Sequence, residues 1–244
     1  GVLAVNEISM IAIGRTDLTV LSEVVISNLT LEGGYNTIDV IKTQEFAVKN
    51  CVIRKSKFIG VFTRLSSGKI SDNYITDTGA AGSVASAGNK SSPAYVEVIG
   101  NRSVKNNNGG FLANGSSTDM PEFGDDLELV VRDNDFSENT ASPINSFGIR
   151  IWVIRRDLGR PLDTQQTGNV RALIQGNRLL GNRIGVVVDS GFPFRSVGQT
   201  CDTRVYTGTL DVTLKGNSIA GSIVAPALIA FTRNTAAQNQ GTLG

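Results

Sequence analysis

One asparagine recurs along this chain in a fixed frame, and that recurrence constrains the fold more than any other feature. It is seen in Ile26-Ser-Asn-Leu-Thr, Val48-Lys-Asn-Cys-Val, Ser71-Asp-Asn-Tyr-Ile, Ile99-Gly-Asn-Arg-Ser, Arg132-Asp-Asn-Asp-Phe, Gln175-Gly-Asn-Arg-Leu and Lys215-Gly-Asn-Ser-Ile. Extending the frame adds Asn6 and Asn234. The spacing starts at 22 residues and widens to 43. Three residues before each asparagine stand Leu3, Val25, Ala47, Ile70, Val98, Val131, Ile174, Leu214 and Phe231, all apolar. Two residues after it, seven of nine positions are apolar, the exceptions being Thr30 and Ser103. An asparagine-rich surface would not keep such a frame. Apolar and polar residues alternate on both sides, and β-branched residues are common, so short strands flank a bend. Asparagine suits the bend: it tolerates a left-handed backbone, bonds to local main chain, and can bond to stacked copies of itself in a ladder.

A unit of about 22 residues that stacks on its neighbours at about 4.8 Å per rung makes a parallel β-solenoid. The expected fold is therefore all-β, a parallel β-helix of about eight coils carrying an asparagine ladder. Through the Asn-x-[VILF] bend and the glycine-led strand that follows it, the chain resembles the right-handed parallel β-helix of the pectate lyase-like superfamily. The resemblance spans nearly all of residues 1–244, read as a single domain. It implies right-handed coils, a site on an outward sheet flanked by loops, and an extracellular or cell-surface location. Lyases, hydrolases, epimerases, tailspikes and adhesins share that scaffold, so it does not select an activity.

The glycine-led strands are Ile59-Gly-Val-Phe-Thr-Arg64, Ala81-Gly-Ser-Val-Ala-Ser86, Gly109-Gly-Phe-Leu-Ala-Asn114, Phe147-Gly-Ile-Arg-Ile-Trp152 and Ile184-Gly-Val-Val-Val-Asp189, with Asn36-Thr-Ile-Asp-Val-Ile41 in the earliest coil. Most extra length enters after them, at residues 87–94, 115–124, 153–168 and 190–208, with a smaller addition at 139–146 before its strand. Loops inserted on one edge of a rigid scaffold are where function concentrates, which predicts a groove beside this sheet. By alternation the outward row pairs Phe62 with Arg64, Val84 with Ser86, Leu112 with Asn114, Arg150 with Trp152 and Val187 with Asp189.

The only tryptophan, Trp152, is expected between Asn114 and Asp189 on neighbouring turns. Exposed, its ring would stack on a sugar, with Arg150 facing a carboxylate or sulfate. Covered by the 153–168 loop, it would make a small satellite core instead. The expected substrate-binding set is Phe62, Arg64, Leu112, Asn114, Arg150, Trp152 and Asp189. The expected ligand is an extended acidic polysaccharide. The alternatives are a polysaccharide lyase or glycoside hydrolase, with Arg150 and Asp189 as catalytic candidates, and a structural or assembly solenoid.

The chemistry has limits. There is no histidine, which removes the commonest general base and zinc ligand. The Gly-His-Gly, Asp-Pro-His-Glu and Arg-x-Pro-x-x-Arg signatures of the polygalacturonases, alginate epimerases and pectate lyases are absent too. Asp119, Glu122, Asp125 and Asp126 form an acidic stretch that reads as a solvated turn or a calcium site, calcium being the only cofactor suggested. The charges at Arg155, Arg156, Asp157, Arg160 and Asp163 alternate in sign, the pattern of mutual salt bridges on a solvated loop. Net charge is +1, so neither nucleic acid nor anionic lipid is an expected partner. No apolar run is long enough to span a membrane as a helix.

Two cysteines, Cys51 and Cys201, are expected to stay unbonded, because five rungs at about 4.8 Å exceed disulfide reach. At the ends, Asn6 already occupies a bend, which anticipates an upstream segment or an end-to-end partner. Residues 225–244 read as a closing strand, Ala227 to Phe231, and a polar tail.

Overall fold

A computed structural model describes residues 8–14, 20–86, 93–115, 126–142, 146–152, 169–189 and 210–230. Every regular element among them is a strand. The strands form an eight-stranded sheet running from Ile11–Ile13 through Ile38–Ile41, Val61–Arg64, Ala81–Ser86, Gly109–Asn114, Phe147–Trp152 and Ile184–Asp189 to Ala225–Ala230, here the first sheet. A seven-stranded second sheet runs from Val25–Ser27 to Leu210–Lys215. The third sheet begins with four strands, from Thr30–Glu32 to Arg102–Val104, and continues through single bridges at Asp135 to Arg178–Leu180 and Ser218–Ala220. All pairings are parallel and in register. The chain visits second, third and first sheets in turn, which is consistent with a β-solenoid.

Two corners close each passage, and each is built from a left-handed residue followed by an inward polar one. At the corner after the second sheet, the left-handed residues are Asn28, Asn50, Asp72, Gly100, Asp133, Gly176 and Gly216, with φ between 53° and 66°. Leu29, after the first of these, is exposed; from the second onward, the residue that follows is turned towards the core. From Asn73 onward it is asparagine, and its Oδ1 accepts the backbone N–H of its counterpart one rung earlier. Cys51 donates to Asn73 at 2.9 Å, Asn73 to Asn101 at 3.1 Å, Asn101 to Asn134 at 2.8 Å, Asn134 to Asn177 at 3.0 Å and Asn177 to Asn217 at 2.9 Å. Each Nδ2 also donates to a carbonyl of the preceding rung, as Asn134 does to Val98 O at 2.9 Å. Buried main-chain groups are thereby satisfied where no sheet can pair them.

This corrects the frame expected for the first two rungs. Asn28 and Asn50 occupy the left-handed position, not the ladder; Leu29 and Cys51 stand where the later asparagines do. Asparagine is suited to both of two adjacent positions, so a repeat aligned on asparagine slips by one residue there. Cys51 is a buried free thiol that imitates the amide, placing Sγ 3.3 Å from Lys49 O and 3.9 Å from Ile26 O. Cys201 lies outside the described residues.

A second ladder lies five residues further on, where left-handed Lys55, Asp77, Lys105, Glu138 and Gly181 precede Ser56, Thr78, Asn106, Asn139 and Asn182. Asn106 Oδ1 accepts from Thr78 N, Asn139 from Asn106 N and Asn182 from Asn139 N, at 2.9 to 3.2 Å. Immediately beyond it the first sheet begins with the glycine column. A methyl group on Gly82 would sit 1.9 Å from Ser103 Oγ, and one on Gly110 would sit 2.6 Å from Phe136 Cβ, so no larger residue fits where the corner folds inward. The core is one apolar column from Ile26 to Leu210, with Phe111 and Phe136 stacked within it.

Candidate functional site

The outer faces of the second and third sheets carry ion pairs between neighbouring rungs. On the second, Lys69 meets Glu97 at 3.9 Å, and Arg171 meets Glu128 at 3.3 Å and Asp211 at 3.7 Å. On the third, the Arg102 guanidinium lies 5.5 Å from the Tyr74 ring, and Asp135 takes Arg102 at 3.8 Å and Arg178 at 3.1 Å. Such exposed pairs are solvated and contribute little, of order 1 kcal/mol or less each.

The first sheet is different. Register puts Asp39, Phe62, Val84, Leu112, Arg150, Val187 and Leu228 in one column, and Ser86, Asn114, Trp152, Asp189 and Ala230 in the next, with Ile41 and Arg64 paired at its early end. Trp152 stands in backbone register between Asn114 and Asp189, as alternation predicts. Phe62, Arg64, Leu112 and Arg150 are partly exposed, whereas Val84, Ser86, Asn114 and Val187 are buried. Small side chains between larger neighbours account for part of this: Phe62 and Leu112 pack with Val84, Ile59, Ala80 and Ala81 in a cluster separate from the main core. The Arg150 guanidinium lies 6.0 Å from the Phe147 ring.

At the early end of the row the structure adds two residues that the sequence reading passes over. Asp39, in register with Phe62, is 7% exposed, and Asn36, three residues before it, is 6% exposed. Arg64 Nη2 reaches Asp39 Oδ2 at 3.0 Å while its guanidinium lies over Phe62 at 4.9 Å. Asn36 Nδ2 donates to the same oxygen at 3.4 Å. The sequence carries a signal for Asp39, since Asn36-Thr-Ile-Asp-Val-Ile41 aligns with the glycine-led strands and one more rung of the row lands on it.

The strand bounds place the length changes where the spacing put them. Ser86 is followed by a second-sheet strand at Ala94, Asn114 by Asp126, Trp152 by Asn169 and Asp189 by Leu210. The intervening residues lie outside the described set. So do Asp119, Glu122, Asp125, the charged residues from Arg155 to Asp163, and the side chains of Trp152 and Asp189. Asp126 is described: its Oδ1 accepts the Asn169 backbone N–H at 3.3 Å and its Nδ2 at 2.8 Å, a tie between rungs. Among the described residues no group of three or more acidic or cysteine side chains could hold a metal ion. No described helix is long and apolar enough to cross a membrane. No family model, curated protein or solved structure matches this chain.

Proposed function

We propose that the chain is a right-handed parallel β-helix of about eight coils, resembling pectate lyase-like proteins, and that the outer face of its first sheet binds an extended acidic polysaccharide outside the cell or at its surface. Right-handedness is what parallel crossover connections almost always take. The observation that carries the binding reading is the row itself: aromatic, amide, guanidinium and carboxylate residues follow one another in register along one parallel sheet, next to the edge that takes up nearly all the variation in coil length. An extended ligand lying along the rungs would meet Phe62, Leu112 and Trp152 as apolar surfaces and Arg64, Asn114, Arg150 and Asp189 as polar partners. The other two sheets carry ion pairs between neighbouring rungs.

The test is a glycan array with the wild-type chain and Trp152→Ala, followed by assays for unsaturated uronates and new reducing ends on any hit. Binding that Trp152→Ala weakens, without products, is the expected result. Products would move the reading to a lyase or hydrolase using Arg150 and Asp189. Absence of binding to every acidic and neutral glycan would leave the assembly solenoid.

A further inference from the structure

We infer that this chain folds, and reaches its destination, by a route on which asparagine is not glycosylated before folding. The inference is independent of the binding reading and narrows how a chain outside the cell would get there. It starts from four acceptor sequences of the form Asn-x-Ser/Thr: Asn28-Leu-Thr30, Asn89-Lys-Ser91, Asn101-Arg-Ser103 and Asn114-Gly-Ser116. In a chain that meets an oligosaccharyl transferase, a used acceptor belongs on the surface, because the bulky sugar has to stay in solvent.

The coil places these acceptors very differently. Asn28 stands exposed at a corner with φ 59°, its Nδ2 3.4 Å from Ser27 Oγ, and Thr30 is exposed as well. A glycan there would project from the stack. Asn101 is 2% exposed and Ser103 0%. Asn101 Nδ2 donates to Ile70 O at 2.8 Å and to Asn134 Oδ1 at 3.0 Å, which uses both amide protons. Ser103 Oγ donates to Gly110 O at 3.0 Å and accepts from Asn106 Nδ2 at 3.1 Å. Asn114 is 9% exposed and lies in register between Ser86 and Trp152, within the proposed binding row. Asn89, Ser91 and Ser116 lie outside the described residues.

Transfer joins Nδ2 to the anomeric carbon of a lipid-pyrophosphate-linked oligosaccharide. The new C–N bond replaces one N–H, the bond from that carbon to the pyrophosphate oxygen breaks, its electron pair leaves with the lipid pyrophosphate, and the amide proton goes to solvent. At Asn101 this removes one of two buried donors and puts a sugar between rungs about 4.8 Å apart. Timing offers no escape. Asn134, which covers Asn101, comes 33 residues later, and pairing between rungs is non-local and slow. The acceptor stays open until that later stretch has been made and stacked.

The test is secretion of the full chain, behind a signal peptide, from a cell that glycosylates asparagine. The wild type is compared with a Thr30→Val, Ser91→Ala, Ser116→Ala variant that leaves Asn101 as the single acceptor. Each is expressed with and without an inhibitor of lipid-linked oligosaccharide synthesis, and yields are normalised to a secreted protein that has no acceptor. The same variant made in bacterial cytosol and melted beside the wild type shows that the substitutions leave the fold intact. The expected result is at least tenfold more folded, protease-resistant variant in the medium when the inhibitor is present, with the chain retained in its absence carrying sugar on Asn101. Equal secretion of folded variant in both arms would overturn the inference, whether peptide mapping finds Asn101 modified, so that the ladder tolerates the glycan, or unmodified, so that the transferase passes it by. Failure in both arms, with the bacterial chain folded, would overturn it too, since something other than the glycan would then block the route.

Discussion

The same edge of the molecule is spanned by short turns in its early rungs and by longer connections in its later ones. Between Ile41 and Phe46 the first sheet passes into the second through left-handed Lys42 and then Thr43; between Arg64 and Gly68 it passes through left-handed Leu65 and then Ser66. Thr43 N donates to Ser66 Oγ at 3.0 Å, and the single Ser66 hydroxyl proton has Arg64 O at 2.8 Å and Val40 O at 3.3 Å as acceptors within reach. This is the same device used at the other two corners, with hydroxyls in place of amides. From Ser86 onward the edge carries longer connections instead, and the other two corners keep their spacing: Asn101 and Asn106, Asn134 and Asn139, Asn177 and Asn182 remain five residues apart. Stacking is thus secured at two corners throughout, which leaves the third free to vary, and the proposed binding row lies beside it.

If the two constant corners hold the stack, interrupting one should cost far more than interrupting the short-turned part of the variable edge. Asn134→Ala removes the acceptor for Asn101 N and Nδ2 and the donor to Val98 O, Arg132 O and Asn177 Oδ1. With several buried groups left unpaired, we expect a loss of about 3–5 kcal/mol, read as a lower denaturant midpoint. A loss below about 1 kcal/mol would mean that the ladder decorates the stack without holding it.

Ser66→Ala sharpens the comparison from the other side. It leaves Thr43 N without its acceptor in a fully buried position, and about 1–2 kcal/mol is expected in the same measurement. Should it equal Asn134→Ala, the short-turned edge would be as essential as the corners, and the longer later connections would need another explanation.

The smallest effect belongs to the exposed charges. Glu32 is held below its ordinary value by its hydrogen bond with Lys55, assisted by Arg54, at 2.7 Å to each. A depressed carboxyl stabilises the fold above the ordinary value of 4.5 and loses that contribution as pH falls through the lowered one. Glu32→Gln should therefore lower the melting temperature slightly at pH 7 and by progressively less as pH falls below 4.5. A difference that does not shrink on acidification would point to packing in place of charge.

Much of this architecture is legible in the residues. Ile70, Val98, Val131 and Ile174 before the ladder asparagines, and Ile75, Phe136 and Leu179 after them, are core residues because a stacked coil repeats its burial pattern at every rung. In the glycine-led strands Phe62, Arg64, Leu112 and Arg150 are partly exposed while Val61, Thr63, Phe111, Ala113, Ile149 and Ile151 are buried, the alternation a pleated strand imposes. The second ladder is harder to see. Asn106, Asn139 and Asn182 recur five residues after the first set, but Ser56 and Thr78 fill the same place earlier, and hydrogen bonding at a corner accepts a hydroxyl where a text comparison expects an amide.

What the sequence determined by itself was periodicity: a repeat of apolar and polar positions dictates stacked parallel strands, because only stacking buries that face in every unit. Tertiary structure decided which of two adjacent residues at each corner does which work. Asn28 and Asn50 turn the chain while Cys51 takes the ladder place, a choice made by the parallel register of one rung on the next. It likewise decided that Arg64 faces Asp39 across one rung, and that Asn36 is buried with one oxygen unengaged. Residues 25 positions apart acquire such relations only when coils of a particular length are laid on one another, since strand spacing, and not the local preference of any residue, sets which side chains meet.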